Sequence, residues 1–262
     1  MTKEKLAAFI KQNWLFYLLG FCIFYGLKLF FSGADVDTLG WIMAPTARWV
    51  QALSGIPFHK ESPLGYINHD VRFIIATSCS GVRFLIITFA TLFYAGVHRM
   101  PTKRWGFAWL GLTLGFSYLF TIFVNGFRLV LSIYLFRIDT QNSWLTPERI
   151  HMIEGTLVYF VSLLMIYPLA GLVSERIAGR RPAGQRRSPL RTTGIWLLPA
   201  FFYFSVTLGI PLLNGAWRNN GGFGEYALLL IAICLPLFLA VCFAAVRRKA
   251  GRKKKQKREP LA

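Results

Sequence analysis

Apolar positions along the chain come in long unbroken blocks separated by short polar stretches. Six windows qualify: Trp14 to Phe31, Val82 to Val97, Gly106 to Val124, Met152 to Val173, Ile195 to Leu213 and Tyr226 to Val246. A helix needs roughly 20 predominantly apolar residues to cross bilayer hydrocarbon. The pattern therefore predicts an all-α integral membrane protein of about six transmembrane helices. The longest stretch outside the windows, Ser32 to Ser80, reads as a small extracytoplasmic segment between helices one and two.

Within that segment, Trp41, Ile42, Trp49, Val50 and Leu53 recur at roughly helical spacing. This predicts a short helix between Asp35 and Ser54 lying on the outer membrane surface. Gly55-Ile56-Pro57-Phe58 and then Leu64 to Ile75 read as two short β-rich runs about a Pro/Gly turn, a small hairpin. Leu129 to Phe136 either prolongs the third span or lies at the interface, and Arg137 to Trp144 reads as an outer loop. Thr146-Pro147-Glu148 spells a helix start: a capping hydroxyl, proline at the first helical position and an acid in the first turn. Gly111 and Gly115 form a small-xxx-small pair, which predicts close helix packing.

Composition supports the membrane assignment. Of 262 residues, 55% are hydrophobic, with 24 Phe and 8 Trp, more apolar surface than a soluble domain can hide. The net charge of +19 raises the question of nucleic acid, but its distribution answers otherwise. Basic residues gather between alternate spans: Lys3, Lys5 and Lys11; Arg99, Lys103 and Arg104; Arg176 to Arg191; and Arg247 to Arg258. That alternation is the positive-inside pattern. It predicts an inner-membrane protein with both termini cytoplasmic, with membrane lipids and not nucleic acid as the partner of the basic segments. The tail Arg252 to Arg258 is expected against anionic lipid, and Lys28 near the outer end of the first span is placed to snorkel. No small-residue cleavage pattern follows the first span, which is expected to be retained. The resulting organisation is a membrane core over 1–175, a basic cytoplasmic linker over 176–194, a transmembrane hairpin over 195–246 and a basic tail over 247–262.

Candidate chemistry follows from depth. About 20 residues separate Cys79 from the basic loop below it, about 24 lead from that loop up to Arg128, and about 25 run from His151 down to Arg176. At about 1.5 Å per residue each path spans roughly one bilayer. Cys79, Arg128 and His151 should therefore share one height near the outer boundary, on three different helices. Polar residues there are functional candidates. Cys79, flanked by Ser78 and Ser80 at a helix start, is a candidate nucleophile, since a helix N-terminus favours the thiolate. The alternative is an inert cysteine near a cap. Gly81 would let a backbone approach closely. Arg128 lies three residues after Asn125 on one helix face and can hold an oxyanion or, equally, a lipid phosphate. His151, with Glu154 one turn on, can act as general base and acid; alone it reads as an exposed interfacial histidine. His69 is a second base candidate, His59 reads as a solvated loop residue, and His98 falls at the opposite boundary. Cys22, Cys234 and Cys242 sit in apolar runs as small buried hydrophobes. No CxxC, HExxH or GxxxxGK[ST] occurs, so no metal or cofactor is expected.

Three elements stand in order: Ser78-Cys79-Ser80-Gly81-Val82-Arg83, then Asn125-Gly126-Phe127-Arg128, then His151-Met152-Ile153-Glu154-Gly155. Over roughly Trp14 to Val173 the chain resembles the exosortase/archaeosortase family of multi-pass membrane cysteine transpeptidases. The resemblance implies Cys79 as nucleophile, Arg128 as stabiliser of the oxyanion or substrate carboxylate, and His151 as general acid/base, with Asn125 and Ser80 supporting. It also implies exported substrates that end in a short motif, a transmembrane helix and a basic tail, cleaved on the extracytoplasmic side; in bacteria the usual motif is Pro-Glu-Pro. The competing reading is a non-catalytic component of a lipid or polysaccharide export system. A transporter usually carries polar groups near the midplane, and these spans have few.

Overall fold

The computed structural model describes residues 3–135, 146–179, 189–219 and 222–258. The chain divides into two units, Met1–Arg180 and Arg181–Ala262. In the first, α1 (Lys3–Ser32) leads to α2 (Gly40–Ser54), strands β1 (His59–Glu61), β2 (Gly65–Asn68) and β3 (Phe73–Ile75), and a 3-10 turn at Thr77–Cys79. Helices α3 (Val82–Gly96), α4 (Lys103–Leu135) and α5 (Pro147–Ile177) follow.

Beyond the exposed Arg83 in its first turn, helix α3 is apolar nearly all round, the pattern of a helix at the centre of a bundle. Its span is 89% buried inside the protein, against 11% for α1 and 28% each for α4 and α5. The other three pack around it and turn their remaining apolar surface outward, as a bilayer requires. Helix α4 buries one stripe, Trp109, Thr113, Ser117, Thr121, Val124, Asn125, Arg128 and Ser132, a run of three- and four-residue steps on one face. Gly111 and Gly115 fall off that stripe. Both are exposed, and a Cβ added at either would meet nothing within 4 Å, so the close packing predicted for them is absent. Close approaches occur instead at Gly96, beneath Trp109, and at Gly106, against Phe16. Cys22 is likewise exposed and not buried, because α1 packs only a narrow face on α3.

Helix α4 continues without a break to Leu135, which places Leu129 to Leu135 in the span's extension. The loop from Arg137 to Trp144 lies outside the described residues. Thr146 caps α5 as its sequence predicts, accepting a hydrogen bond from Arg149 N at 3.3 Å.

Between α1 and α3 the predicted short helix forms. It packs along the C-terminal half of α4, burying Ile42, Met43, Thr46, Ala47 and Val50. The Trp41 ring stacks on Tyr118, whose hydroxyl donates to Trp41 O at 2.7 Å. Trp49 lies over Gly126, where any side chain would collide with the indole. Leu53, from the predicted stripe, stays exposed. The predicted hairpin is a three-stranded antiparallel sheet in the order β1-β2-β3, with His59 opposite Ile67 and Tyr66 opposite Ile75. A second turn adds the third strand: Asn68 Oδ1 accepts from Val71 N at 2.7 Å and its Nδ2 donates to Pro57 O at 2.8 Å, the local bonding that makes Asn a turn residue. Asp37, before α2, holds Lys60 and Ser62 of the sheet. Strand β3 then hands the chain directly to Thr77–Cys79.

In the second unit, α6 (Pro189–Phe204), a π turn (Ser205–Gly209) and α7 (Ile210–Leu213) join end to end. The short α8 (Ala216–Asn219) precedes α9 (Phe223–Arg258), which packs on α6 and continues as helix through the basic tail. The chain is thus a multi-pass, all-α membrane protein. Among the described residues, five helices are long and apolar enough to cross a bilayer, and the shorter apolar run Leu197–Leu213 occupies the remaining predicted window.

Candidate active site

Three residues separate β3 from Cys79, and the turn that carries the cysteine is tight. Cys79 N donates to Ala76 O and Ser80 N to Thr77 O. Gly81 then adopts a left-handed conformation, φ +82°, open to glycine at no steric cost. A Cβ at Gly81 would stand 2.9 Å from Thr121 Cγ2 and 3.0 Å from Asn125 Nδ2. The close approach read from the sequence is therefore made by α4. It lets Asn125 Nδ2 donate to Cys79 O at 2.8 Å, which fixes the cysteine backbone to α4.

The depth count left open whether the three helix ends meet, and the structure brings them together. His151, in the first turns of α5, puts Nε2 3.6 Å from Cys79 Sγ. Arg128 Nη2 lies 2.6 Å from that same nitrogen. A guanidinium can only donate, so Nε2 is the acceptor and the ring proton sits on Nδ1. Arg128 is 6% exposed and is held from several sides. Its Nη1 donates to Tyr159 Oη at 3.3 Å and to Asn125 Oδ1 at 3.5 Å, and Tyr159 Oη donates to Asn125 Oδ1 at 2.6 Å. The guanidinium carbon lies 5.2 Å from the Tyr159 ring centre, and that ring stacks on Phe84 of α3. Gly155 gives the arginine its passage; a Cβ there would sit 2.8 Å from Nε and 3.2 Å from Cζ.

Glu154 is 5% exposed, with Oε2 3.8 Å from Arg128 Nε and 3.8 Å from His151 Nδ1. Direct orientation of the imidazole by Glu154 is thus replaced by a bridge. Ser132 Oγ lies 2.7 Å from His151 Nδ1 and donates to Glu154 Oε2 at 3.0 Å. Ser80 is buried, and its hydroxyl has no hydrogen-bond partner among the described residues. Ser78 Oγ is 3.9 Å from Sγ. His69 is taken up elsewhere, 2.6 Å from Glu61 on the sheet, and His59 is exposed on β1. His98 lies in the 3-10 turn at the far end of α3.

Two residues of this cluster escaped the sequence reading, Ser132 and Tyr159. Ser132 had a signal: Asn125, Arg128 and Ser132 step by three and four along one face of α4. Tyr159 had none, since it reaches the arginine across the α4–α5 contact. The whole constellation has the composition of a thiol acyl-transfer site. A nucleophile stands beside the acceptor nitrogen of an imidazole, with a donor-only cation on that same nitrogen. The profile of the transmembrane exosortase family matches residues 7–168, a stretch that contains every residue of the cluster. No curated protein and no solved structure matches the chain.

Proposed function

The chain belongs to the transmembrane exosortase family, and from that premise we infer that it is a membrane-embedded cysteine transpeptidase or protease. We propose that it cleaves the C-terminal sorting signal, of the Pro-Glu-Pro type, of exported proteins at the outer face of the inner membrane. The observation that carries this reading is the contact set on one nitrogen: His151 Nε2 at 3.6 Å from Cys79 Sγ and at 2.6 Å from Arg128 Nη2.

In the reaction, a substrate carbonyl enters above Cys79 and its oxygen draws Arg128 Nη2 away from the imidazole. Nε2 is then free to take the thiol proton as sulfur attacks the carbonyl carbon. The tetrahedral oxyanion receives the guanidinium donors, which Tyr159 and Asn125 already hold in place. Collapse breaks the C–N bond, and His151 returns the proton to the leaving amine on the substrate's membrane helix. A thioester remains on Cys79 until an acceptor amine or water takes the acyl group. The positive-inside pattern supports an outward-facing site end, where a substrate paused in the bilayer after export would present the bond just outside its helix. The basic tail of that substrate would remain on the cytoplasmic side.

The test is a tagged exported protein of the native host that ends in a short motif, an apolar helix and an Arg/Lys tail. In a Cys79→Ala strain it should accumulate at precursor size, and normal maturation there would overturn the assignment.

A further inference from the structure

We propose that Ser132 is the positioning residue of His151. In this assignment the serine hydroxyl, and not a direct carboxylate contact, fixes the histidine tautomer and conveys the charge of Glu154 to the ring. The inference rests on the reading of Cys79 and His151 as nucleophile and base, and adds a component that neither the family match nor the sequence motifs assign.

The argument is one of proton bookkeeping. Arg128 can only donate, so at 2.6 Å it fixes Nε2 of His151 as an acceptor. Nδ1 then carries the proton, and the atom 2.7 Å from it is Ser132 Oγ, which accepts. The serine's own proton is thereby committed outward, and Glu154 Oε2 stands 3.0 Å away to receive it. Each group in the chain Glu154–Ser132–His151 has one role compatible with the next. The serine and the carboxylate are closed to solvent, with Ser132 3% and Glu154 5% exposed. At 3.8 Å the carboxylate is too far from Nδ1 for a hydrogen bond of its own. When Nε2 takes the thiol proton, the imidazolium keeps its Nδ1–H on Ser132, and the carboxylate stabilises the new charge through the hydroxyl. Once a carbonyl draws Arg128 away from Nε2, that hydroxyl alone keeps the proton on Nδ1; without it the ring can exchange tautomers and present an N–H to Cys79, which removes the base.

The groups facing the imidazole are Cys79 from the 3-10 turn, Arg128 and Ser132 from α4, and Glu154 from α5. Tyr159 stands behind the arginine. Iodoacetamide alkylation of Cys79 probes the pair without the protein substrate, the reagent's amide carbonyl taking the Arg128 donor as a substrate carbonyl would. Sulfur displaces iodide while its proton passes to Nε2 near neutral pH, or to hydroxide in strong base. The full-length protein in detergent is alkylated at pH 7 and at pH 10, and the Cys79 peptide is followed by mass spectrometry, apart from Cys22, Cys234 and Cys242.

Ser132→Ala is expected to slow alkylation about 10²-fold at pH 7, the lower end of what a positioned base contributes, and to leave the pH 10 rate unchanged. Ser132→Thr, which keeps a hydroxyl, should stay within about twofold of wild type at both pH values. His151→Ala should match Ser132→Ala at pH 7. A merely structural role for Ser132 would change access to the thiol and move both rates together. That outcome, or a wild-type pH 7 rate in Ser132→Ala, overturns the proposal. A wild-type pH 7 rate in His151→Ala would instead overturn the base assignment on which it rests.

Discussion

Gly155→Ala puts one methyl group where Arg128 crosses α5. The new Cβ would stand 2.8 Å from Nε, 3.2 Å from Cζ and 3.3 Å from Nη2. Ordinary contact begins near 3.5 Å, so the guanidinium must retreat by about 0.7 Å or more. It has little room, because Tyr159 and Asn125 hold Nη1 and the Tyr159 ring lies alongside. The displacement therefore falls on the contact with His151. A misplacement of about 1 Å at a reacting group costs about 10²-fold in rate. Folding should suffer far less. Ala gains roughly 1 kcal/mol over Gly in a helix interior, which offsets much of the roughly 1–3 kcal/mol that overpacking costs. The expected signature is a 10²-fold slower maturation of the tagged exported substrate, with the variant at normal levels in the membrane and Tm lowered by only a few degrees. Gly111→Ala, which meets open space, serves as the control and should process normally. Wild-type maturation in Gly155→Ala would refute the claim that Arg128 acts from this position.

Arg128→Lys should also abolish maturation, by about 10²-fold or more in the same assay, because one ammonium cannot serve His151, Asn125 and Tyr159 together; full activity would remove its oxyanion role. Tyr159→Phe deletes the hydroxyl that donates to Asn125 Oδ1 at 2.6 Å, leaving buried groups short of a partner at a cost of about 1–3 kcal/mol, to be read as a lower Tm of the purified protein. Asp37→Asn probes the pin between the α2 approach and the sheet. The hydrogen bond from Lys60, then that from Ser62, holds the Asp37 carboxyl below its usual range, and Asp37 raises Lys60 in turn. A depressed acid contributes stability above its unfolded value of about 3.9, lost as pH falls through the folded one; a raised lysine contributes below about 10.4, lost as pH rises. The Tm difference between wild type and Asp37→Asn should thus be flat across the neutral range and close as pH falls below about 4. It should also be small and shrink with salt, since both groups are exposed.

Hydrophobic block length alone determined that this chain is a multi-pass helical membrane protein, because the bilayer leaves so few ways to satisfy a backbone. The spans Asn13–Ser32, Thr77–Arg99, Lys103–Leu135 and Glu148–Ile177 each contain one predicted window, and Phe223–Ala245 contains all of a fifth but Val246. Local chemistry was legible too: the Thr146 cap, and the face shared by Asn125 and Arg128, depend only on neighbours along one helix. Counting residues through each span likewise put Cys79, Arg128 and His151 at one height. Lateral relations were not legible, because helical spacing records depth and face but not which helix lies opposite. Only the packed bundle decided that α3 is central, that α2 lies along α4, and that Gly126 and Gly155 are close approaches while Gly111 and Gly115 are open. It also decided that Cys79, His151 and Arg128 touch, and that Ser132 stands between His151 and Glu154. The reason is physical: a hydrogen bond between two helices is set by their separation and rotation, and those are fixed by side chains far from the bond itself.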